Sequence, residues 1–455
     1  MTLDFDVAIV GAGPAGSAAA IMLARQGYHV GLIDKAIFPR DKACAEYMSP
    51  AIEGVLKRLG VLEQVQARQP AHLRGFDIYS PAGRAFRADF AGVTRPDGKP
   101  YYEYGLALPR SIFDHLLIER ARSQGVEALE GTRLQDFQIK RVSPREISVS
   151  LAVQKTQPAS GSREPLASVS RETSANASCK ASDGPSTSPA AGVESKATAA
   201  TTLRARLLVA ADGVHSLIAR RLGVQQSSAR QRKIALVTHM RGIRDLGLYG
   251  EMHVGRGCYV GLAPLEPPAV GDLCNVAIVV DESEAPRLAG HVDAFFDEAL
   301  QGFPALASRL DEARRTKGIL TVSRLAVSAQ RLSTDGVMLV GDATGFYDPF
   351  TGEGMYRALR GAELLAGVAG AALAAGDCSA ERLRAYDRLH RREFAGKRLV
   401  EHIVQELIAR PWLCEHVMER FARRKHLADT MMGVTGDFLP PSRVLSPFYV
   451  ARLLI

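Results

Sequence analysis

An apolar strand that runs straight into a glycine-rich turn and then into a helix restricts the fold of this chain more than any other feature. Asp4 to Val10 alternates and then turns apolar, Gly11-Ala12-Gly13-Pro14-Ala15-Gly16 follows, and alanine-rich helical periodicity continues to Gln26. A second apolar run, Tyr28 to Ile33, ends at Asp34. In that setting each glycine has a task. Gly11 allows the tight turn, Gly13 lets a pyrophosphate approach backbone N–H groups at the helix N-terminus, and Gly16 lets helix and strand pack closely. Asp34 stands where an acid takes ribose hydroxyls, with Lys35 directly after it. The unit predicts an ADP-containing cofactor, with Gly11, Gly13, Ala15, Gly16, Asp34 and Lys35 around it.

The rest of the chain is ample for more than one core: 455 residues, 46% of them apolar. Six cysteines (Cys44, Cys179, Cys258, Cys274, Cys378, Cys414) are scattered singly, without a CxxC pair or a histidine cluster at zinc spacing, so free thiols and no metal site are expected. Met1 to Val10 has no secretory pattern, and the expected location is the cytoplasm. The longest apolar stretch, Leu364 to Ala375, is far shorter than the roughly 20 residues of a membrane span. Of the net charge of +8, residues 380–455 carry +5, from 14 Lys and Arg against 9 Asp and Glu. Acids are interleaved throughout that tail, which favours a solvated basic helix pair over a nucleic-acid face and leaves weak contact with a membrane surface open.

Strand-like runs cluster in the middle, at Glu146 to Val153, Leu203 to Ala210, Lys233 to Met240, Tyr259 to Ala263 and Asn275 to Val280. Helical signals fall at Ser111 to Ser123, Val292 to Leu300 and Glu353 to Ala375. The expected fold is α/β: a Rossmann-type cofactor domain (1–70, 109–222, 331–376), a β-rich substrate domain inserted into it (71–108, 223–330), and a helical C-terminal region (377–455). Residues 154–202, rich in Ser, Ala, Thr and Gly, show no period and almost no large apolar side chain. They are expected to be a disordered, overgrown hairpin loop between the two strands that flank them.

Two further motifs follow apolar strands. One is Ala210-Ala211-Asp212-Gly213-Val214-His215-Ser216. The other runs from Gly341-Asp342-Ala343-Thr344-Gly345 through Asp348-Pro349-Phe350-Thr351 to Gly352-Glu353-Gly354-Met355. With the N-terminal glycine turn, these residues resemble the flavoprotein superfamily of the para-hydroxybenzoate hydroxylase fold, and within it the branch of geranylgeranyl reductases and flavin halogenases. The resemblance implies FAD as the cofactor; because no second strand-linked GxGxxG is present, the expected donor is NAD(P)H that visits transiently, with another electron carrier as the alternative. The resemblance places Asp212 and Gly213 between pyrophosphate and nicotinamide donor, Gly341 and Asp342 at the ribityl chain, and Pro349 with Gly352, Gly354 and Met355 along the isoalloxazine. Arg110, in Leu108-Pro109-Arg110-Ser111, matches an arginine that contacts FAD. Where the family often has arginine seven residues after the DG aspartate, this chain has Ala219, followed by Arg220.

Phe38-Pro39-Arg40-Asp41-Lys42-Ala43-Cys44-Ala45-Glu46-Tyr47-Met48-Ser49-Pro50 is similar to a stretch of the geranylgeranyl-reductase branch, with Ala45 where glycine is usual. By that likeness Arg40 contacts the cofactor and Cys44 faces the reactive ring; on its own Cys44 reads equally as a small buried thiol. Gly345 stands where aromatic hydroxylases usually have histidine, and a chain whose only tryptophan is Trp412 lacks the paired-tryptophan motif of the halogenases. The expected activity is an NAD(P)H-dependent monooxygenase acting on a bulky or apolar small molecule. Geranylgeranyl-reductase-like reduction of carbon–carbon double bonds stands second, with Cys44 and Pro349 as the residues nearest the chemistry. A non-enzymatic flavin-binding protein is the reading from another class.

Overall fold

The computed structural model describes residues 3–90, 103–156, 201–227 and 232–454. Short strands and single turns aside, β1 (Phe5–Val10), α1 (Pro14–Ala24), β2 (Val30–Ile33) and α2 (Ile52–Leu59) open the chain. Next come β3 (Gly75–Tyr79), β4 (Ala85–Asp89), α3 (Arg110–Ser123), β5 (Glu127–Leu129), β6 (Thr132–Arg141), β7 (Ile147–Lys155) and β8 (Thr201–Ala210). Then follow β9 (Lys233–Arg241), β10 (Gly250–Val254), β11 (Cys258–Pro264), β12 (Cys274–Asp281), α4 (Val292–Gln301) and β13 (Val337–Leu339). Five helices end the chain: α5 (Gly354–Ala374), α6 (Ala380–Ile408), α7 (Pro411–Arg423), α8 (Lys425–Thr435) and α9 (Pro447–Leu454).

The first sheet is parallel at its centre, in the order β13-β8-β1-β2-β5. Strands covered on both faces read as continuous apolar runs, which is why β1, β2 and the end of β8 carry so few polar residues. Helix α1 is buried nearly all round, and its small side chains let it lie close to the sheet on one side and to α5 on the other. The second sheet runs β9-β12-β11-β10-β3-β4, antiparallel except for the β10–β3 pair. It therefore combines a hairpin that precedes β5–β8 with strands that follow them, as expected for an inserted unit. Its share of residues 71–108 is the hairpin Gly75–Asp89. The short strands Ala71–Leu73 and Gly105–Ala107 pair instead with Tyr47–Met48.

Period-2 alternation gives the second sheet two apolar faces. Ile234, Leu236, Val260, Leu262, Val276 and Ile278 pack on the α4 side. On the opposite face Ala235, Met252, Tyr259 and Val279 meet Phe76, Phe346 and Phe350. Helices α7 and α8 close over β4, and a further apolar cluster joins Tyr47, Phe76 and Phe350 to Phe421, Leu427 and Tyr449. No helix among the described residues is long and apolar enough to cross a membrane.

The hairpin expected around residues 154–202 is present as β7 and β8, paired from Val149 opposite Ala205 to Val153 opposite Thr201. The expectation of disorder concerns residues 157–200, which lie outside the described residues, as does Cys179. Because the register is set by buried strand residues on either side, removing residues 159–199 is expected to leave flavin content unchanged and to move Tm by no more than about 3 °C. A thermal melt of the shortened chain checks this; a large fall would mean that the segment packs on the core.

Candidate functional site

The glycine turn between β1 and α1 separates two kinds of glycine. At Gly11 (φ +102°) an added Cβ would lie 2.2 Å from the Ala211 carbonyl oxygen, and at Gly16 it would lie 1.8 Å from the Gly11 oxygen. Both serve backbone packing. At Gly13, in extended backbone at the N-cap of α1, an added Cβ would meet only the guanidinium tips of Arg110 and Arg40, each at 3.8 Å. That space is walled by uncapped helix N–H groups on one side and two cations on the other, the arrangement that holds a diphosphate. Asp34 fixes the turn: its carboxylate accepts from Ala12 N (2.7 Å) and Ala36 N (2.8 Å) and keeps lone pairs for ribose hydroxyls. Gly341 (φ +62°) packs against Ala15, where a Cβ would come within 2.8 Å of the alanine methyl, so the 341–355 segment begins at the glycine turn itself.

Charge is concentrated here. Arg110 is buried and grips Asp114 with two hydrogen bonds (2.7 and 2.8 Å), and Arg40 pairs with the same carboxylate at 2.9 Å. Burial lowers the pKa of Lys42, and repulsion from Arg110, Arg40 and Lys35 lowers it further against the pull of Asp342. Burial likewise lowers His215, with Lys42 adding to the effect. Burial raises Asp342, while Lys42, Arg110 and Arg357 oppose the rise. Arg40 and Arg110 share the one carboxylate of Asp114, and Lys42, with the exposed Lys35 near it, adds positive charge beside Asp342 for an anionic ligand to meet. The residues present fit the diphosphate and ribityl portions of FAD.

The two oxygens of Asp212 are engaged differently. Its Oδ2 accepts from Leu217 N (2.7 Å) and Ile218 N (3.4 Å), closing its own turn, while Oδ1 is buried with no hydrogen-bond partner among the described residues. That oxygen and the left-handed Gly213 (φ +84°) are what remain for a ligand. Ala219 is fully buried, and Arg220 folds back onto the carbonyls of Ser216 (3.2 Å) and His215 (3.4 Å).

The second sheet is pinned to the cofactor domain at two points, neither foreseen from the sequence. Glu46, only 1% exposed and in left-handed backbone (φ +60°), accepts from Arg110 N (2.7 Å), His239 Nε2 (2.5 Å) and Asn275 Nδ2 (2.9 Å). Asn275 also donates to the Cys44 carbonyl (2.8 Å). The half-buried Cys44 sulfur accepts from Glu46 N (3.3 Å) and is reached by the Arg110 guanidinium. At the second pin, Asp348 accepts from Tyr259 Oη (2.6 Å) and pairs with Lys233 (3.0 Å), directly before the half-buried Pro349. His239 and Lys233 share one face of β9, six residues and so about 20 Å apart. Ala235 and Val237 lie between them on that face, with Ala277 and Val279 as their alternating counterparts on β12. The pins were illegible because nothing in the spacing links Glu46 to His239 or Asp348 to Lys233. Adjacency to Cys44 and Pro349 was the only available signal.

Beyond Pro349 the chain turns at Gly352 (φ +70°), whose added Cβ would strike Tyr47 at 2.7 Å, and α5 begins at Gly354 without a side-chain cap. Met355 buries its side chain in the main core, which leaves its first-turn N–H for a ligand. Glu353 is buried, and neither carboxylate oxygen finds a hydrogen-bond partner among the described residues. Burial, then Asp437, raise its pKa well above the carboxylate range, with Lys397 and Arg357 opposing.

Two substitutions separate the roles of the glycines. Gly13→Val is expected to fold with Tm nearly unchanged and to purify without FAD, since valine fills only the ligand's space. Gly16→Val should fail to fold. Flavin absorbance and a thermal melt of each check this, and a full flavin spectrum in Gly13→Val overturns it. Glu46→Ala leaves three buried donors without an acceptor and is expected to cost about 3 kcal/mol in urea unfolding, with Glu46→Gln costing less. Parental stability in the alanine variant would show that the pin is not stabilising.

The chain is 25% identical over 369 residues to conditioned medium factor receptor 1 of Dictyostelium discoideum, a match covering 79% of this chain and 62% of that protein. It is 28% identical over 396 residues to digeranylgeranylglycerophospholipid reductase 1 of Methanothermobacter thermautotrophicus, covering 86% of this chain and 84% of the reductase. The flavoprotein/dehydrogenase of Cytophaga hutchinsonii has a similar structure, with a TM-score of 0.75 at 19% identity, over 99% of this chain and 96% of that one. Residues 4–148 and 162–402 match the family described as FAD binding domain. The match takes in the glycine turn, the DG and GD segments and both pins, and the chain accordingly belongs to this family of FAD-dependent enzymes.

Proposed function

We propose that this protein uses FAD, reduced by a transiently bound NAD(P)H, to reduce a carbon–carbon double bond in a bulky, apolar small molecule. The observation that carries the reading is the placement of Cys44. Its sulfur is half-buried beside Arg110, at the end of a sheet face that is apolar over about 20 Å between the two pins. Reduced FAD, when bound, supplies two electrons and one proton to a substrate double bond; the second proton has to come from the chain. The Cys44 thiol is a donor of suitable chemistry. Cys44 is half-buried, so the proton it gives up is replaced from solvent. Ala235, Val237, Ala277 and Val279 are buried and make this face apolar, which suits an apolar substrate better than a charged one.

The sequence ranked oxygen chemistry first. Two considerations reverse the order: a half-buried free thiol is a liability beside activated oxygen, and a relative matched over 84% of its length is named as a reductase.

Anaerobic single turnover tests the proposal. The FAD-loaded protein, reduced with NADPH or dithionite, is mixed with a polyprenyl alkene and the product is weighed by mass spectrometry. A gain of two hydrogens without air is expected, with Cys44→Ala keeping its FAD and losing about 10²- to 10⁴-fold in rate. Product bearing an added oxygen, formed only in air, replaces this reading with the monooxygenase. Absence of turnover under both conditions favours the non-enzymatic flavin-binding protein.

A further inference from the structure

We propose that α7 and α9 form a docking surface for an anionic lipid bilayer, independently of the reaction at the flavin site. The only tryptophan of the chain, Trp412, is 72% exposed in the first turn of α7, and Phe448 is 67% exposed at the start of α9. Leu454 and Val450, 51% and 41% exposed, lie one turn apart on α9. The two helices are clasped: His416 donates to the Leu454 carbonyl (3.1 Å) and Arg424 to the Arg452 carbonyl (2.6 Å). Trp412, one turn before His416, therefore shares a face with the end of α9.

Charge selects the partner. Arg452 lies over the Phe448 ring at 4.1 Å and Arg443 stands exposed before α9, while the exposed Arg410 pairs with Glu406 (2.7 Å). The acids of α7 are turned away: Glu415 accepts from Ser80 Oγ (2.9 Å) and Ala82 N (2.8 Å), and Glu419 pairs with Arg84 (3.6 Å) and Arg423 (2.6 Å). What faces outward is aromatic and aliphatic side chains interleaved with arginine, projecting singly and not lining a groove. Such a surface matches a bilayer interface, where rings sit at headgroup level and arginines meet phosphates. Beneath it, Tyr449 and Leu453 belong to the apolar cluster that reaches Phe350 and Tyr47 beside the candidate site, so a docked protein would stand with that cluster over the lipid.

Trp412 reports on the idea directly, since no other tryptophan contributes to emission. The full-length, FAD-loaded protein is titrated with vesicles of phosphatidylcholine containing phosphatidylglycerol, and with vesicles of phosphatidylcholine alone. A blue shift of Trp412 emission and cosedimentation are expected with the anionic vesicles, both weakening as salt is raised. Arg452→Glu should weaken partitioning by at least about fivefold. Phe448→Ser with Leu454→Ser should abolish the shift while flavin absorbance and Tm stay at parental values, because neither side chain is in a core. Absence of binding to anionic vesicles at low salt overturns the proposal, as does unchanged binding by these variants. A blue shift that follows protein concentration without vesicles overturns it in favour of a second copy of the chain.

Discussion

The carboxylate of Glu46 ties together three parts of the molecule that are far apart in the chain. It accepts from the first backbone N–H of α3, from His239 on β9 and from Asn275 on β12, so one buried anion joins the cofactor domain to the substrate sheet. A carboxylate taken out of water is tolerable only when its lone pairs are filled, and here three donors converge on it. The left-handed backbone at Glu46 would by itself cost on the order of 1 kcal/mol or more, and the same donors hold it in place. The loop so fixed carries Cys44, and the distance between the sheet and the candidate ring site follows from it.

The cofactor cradle works by the opposite imbalance. Beside Gly13 the Arg40 and Arg110 guanidiniums share the one carboxylate of Asp114, and burial together with their repulsion lowers the affinity of Lys42 for its proton. Like charges brought together in a protein raise its free energy unless a ligand neutralises them. The cradle is therefore shaped for an anion, while the Glu46 pin is neutralised within the chain. One is a binding site and the other a joint.

The C-terminal helices extend this division of labour. Their inner side chains complete the apolar cover over β4 and the Pro349 turn, and their outer side chains leave tryptophan, phenylalanine and arginine in solvent. A helix pair that served only as a cover would present a polar exterior.

Much of this was legible from local pattern. The β1–α1–β2 unit, the hairpin flanking residues 157–200, the strands β9, β11 and β12 and the helix after Gly354 each depend on contacts within a few residues of one another or on period alone, and they fall where the sequence places them. The glycines at 11 and 16 were readable because no other residue fits their backbone. Which way the Met355 side chain points is not written in its motif; packing against the core decided that. Asp212 carries a recognisable motif, yet its Oδ2 is spent on its own turn. Glu46 with His239 and Asp348 with Lys233 lay beyond reading, since residues 193 and 115 positions apart meet only when two sheets pack. By itself the sequence determined the cofactor-binding unit and most of the element order, which follow from local sterics and hydrophobic period. Only the tertiary structure decided what surrounds Cys44 and Pro349, because those neighbours are chosen by the burial of distant polar groups that must find one another once water is excluded.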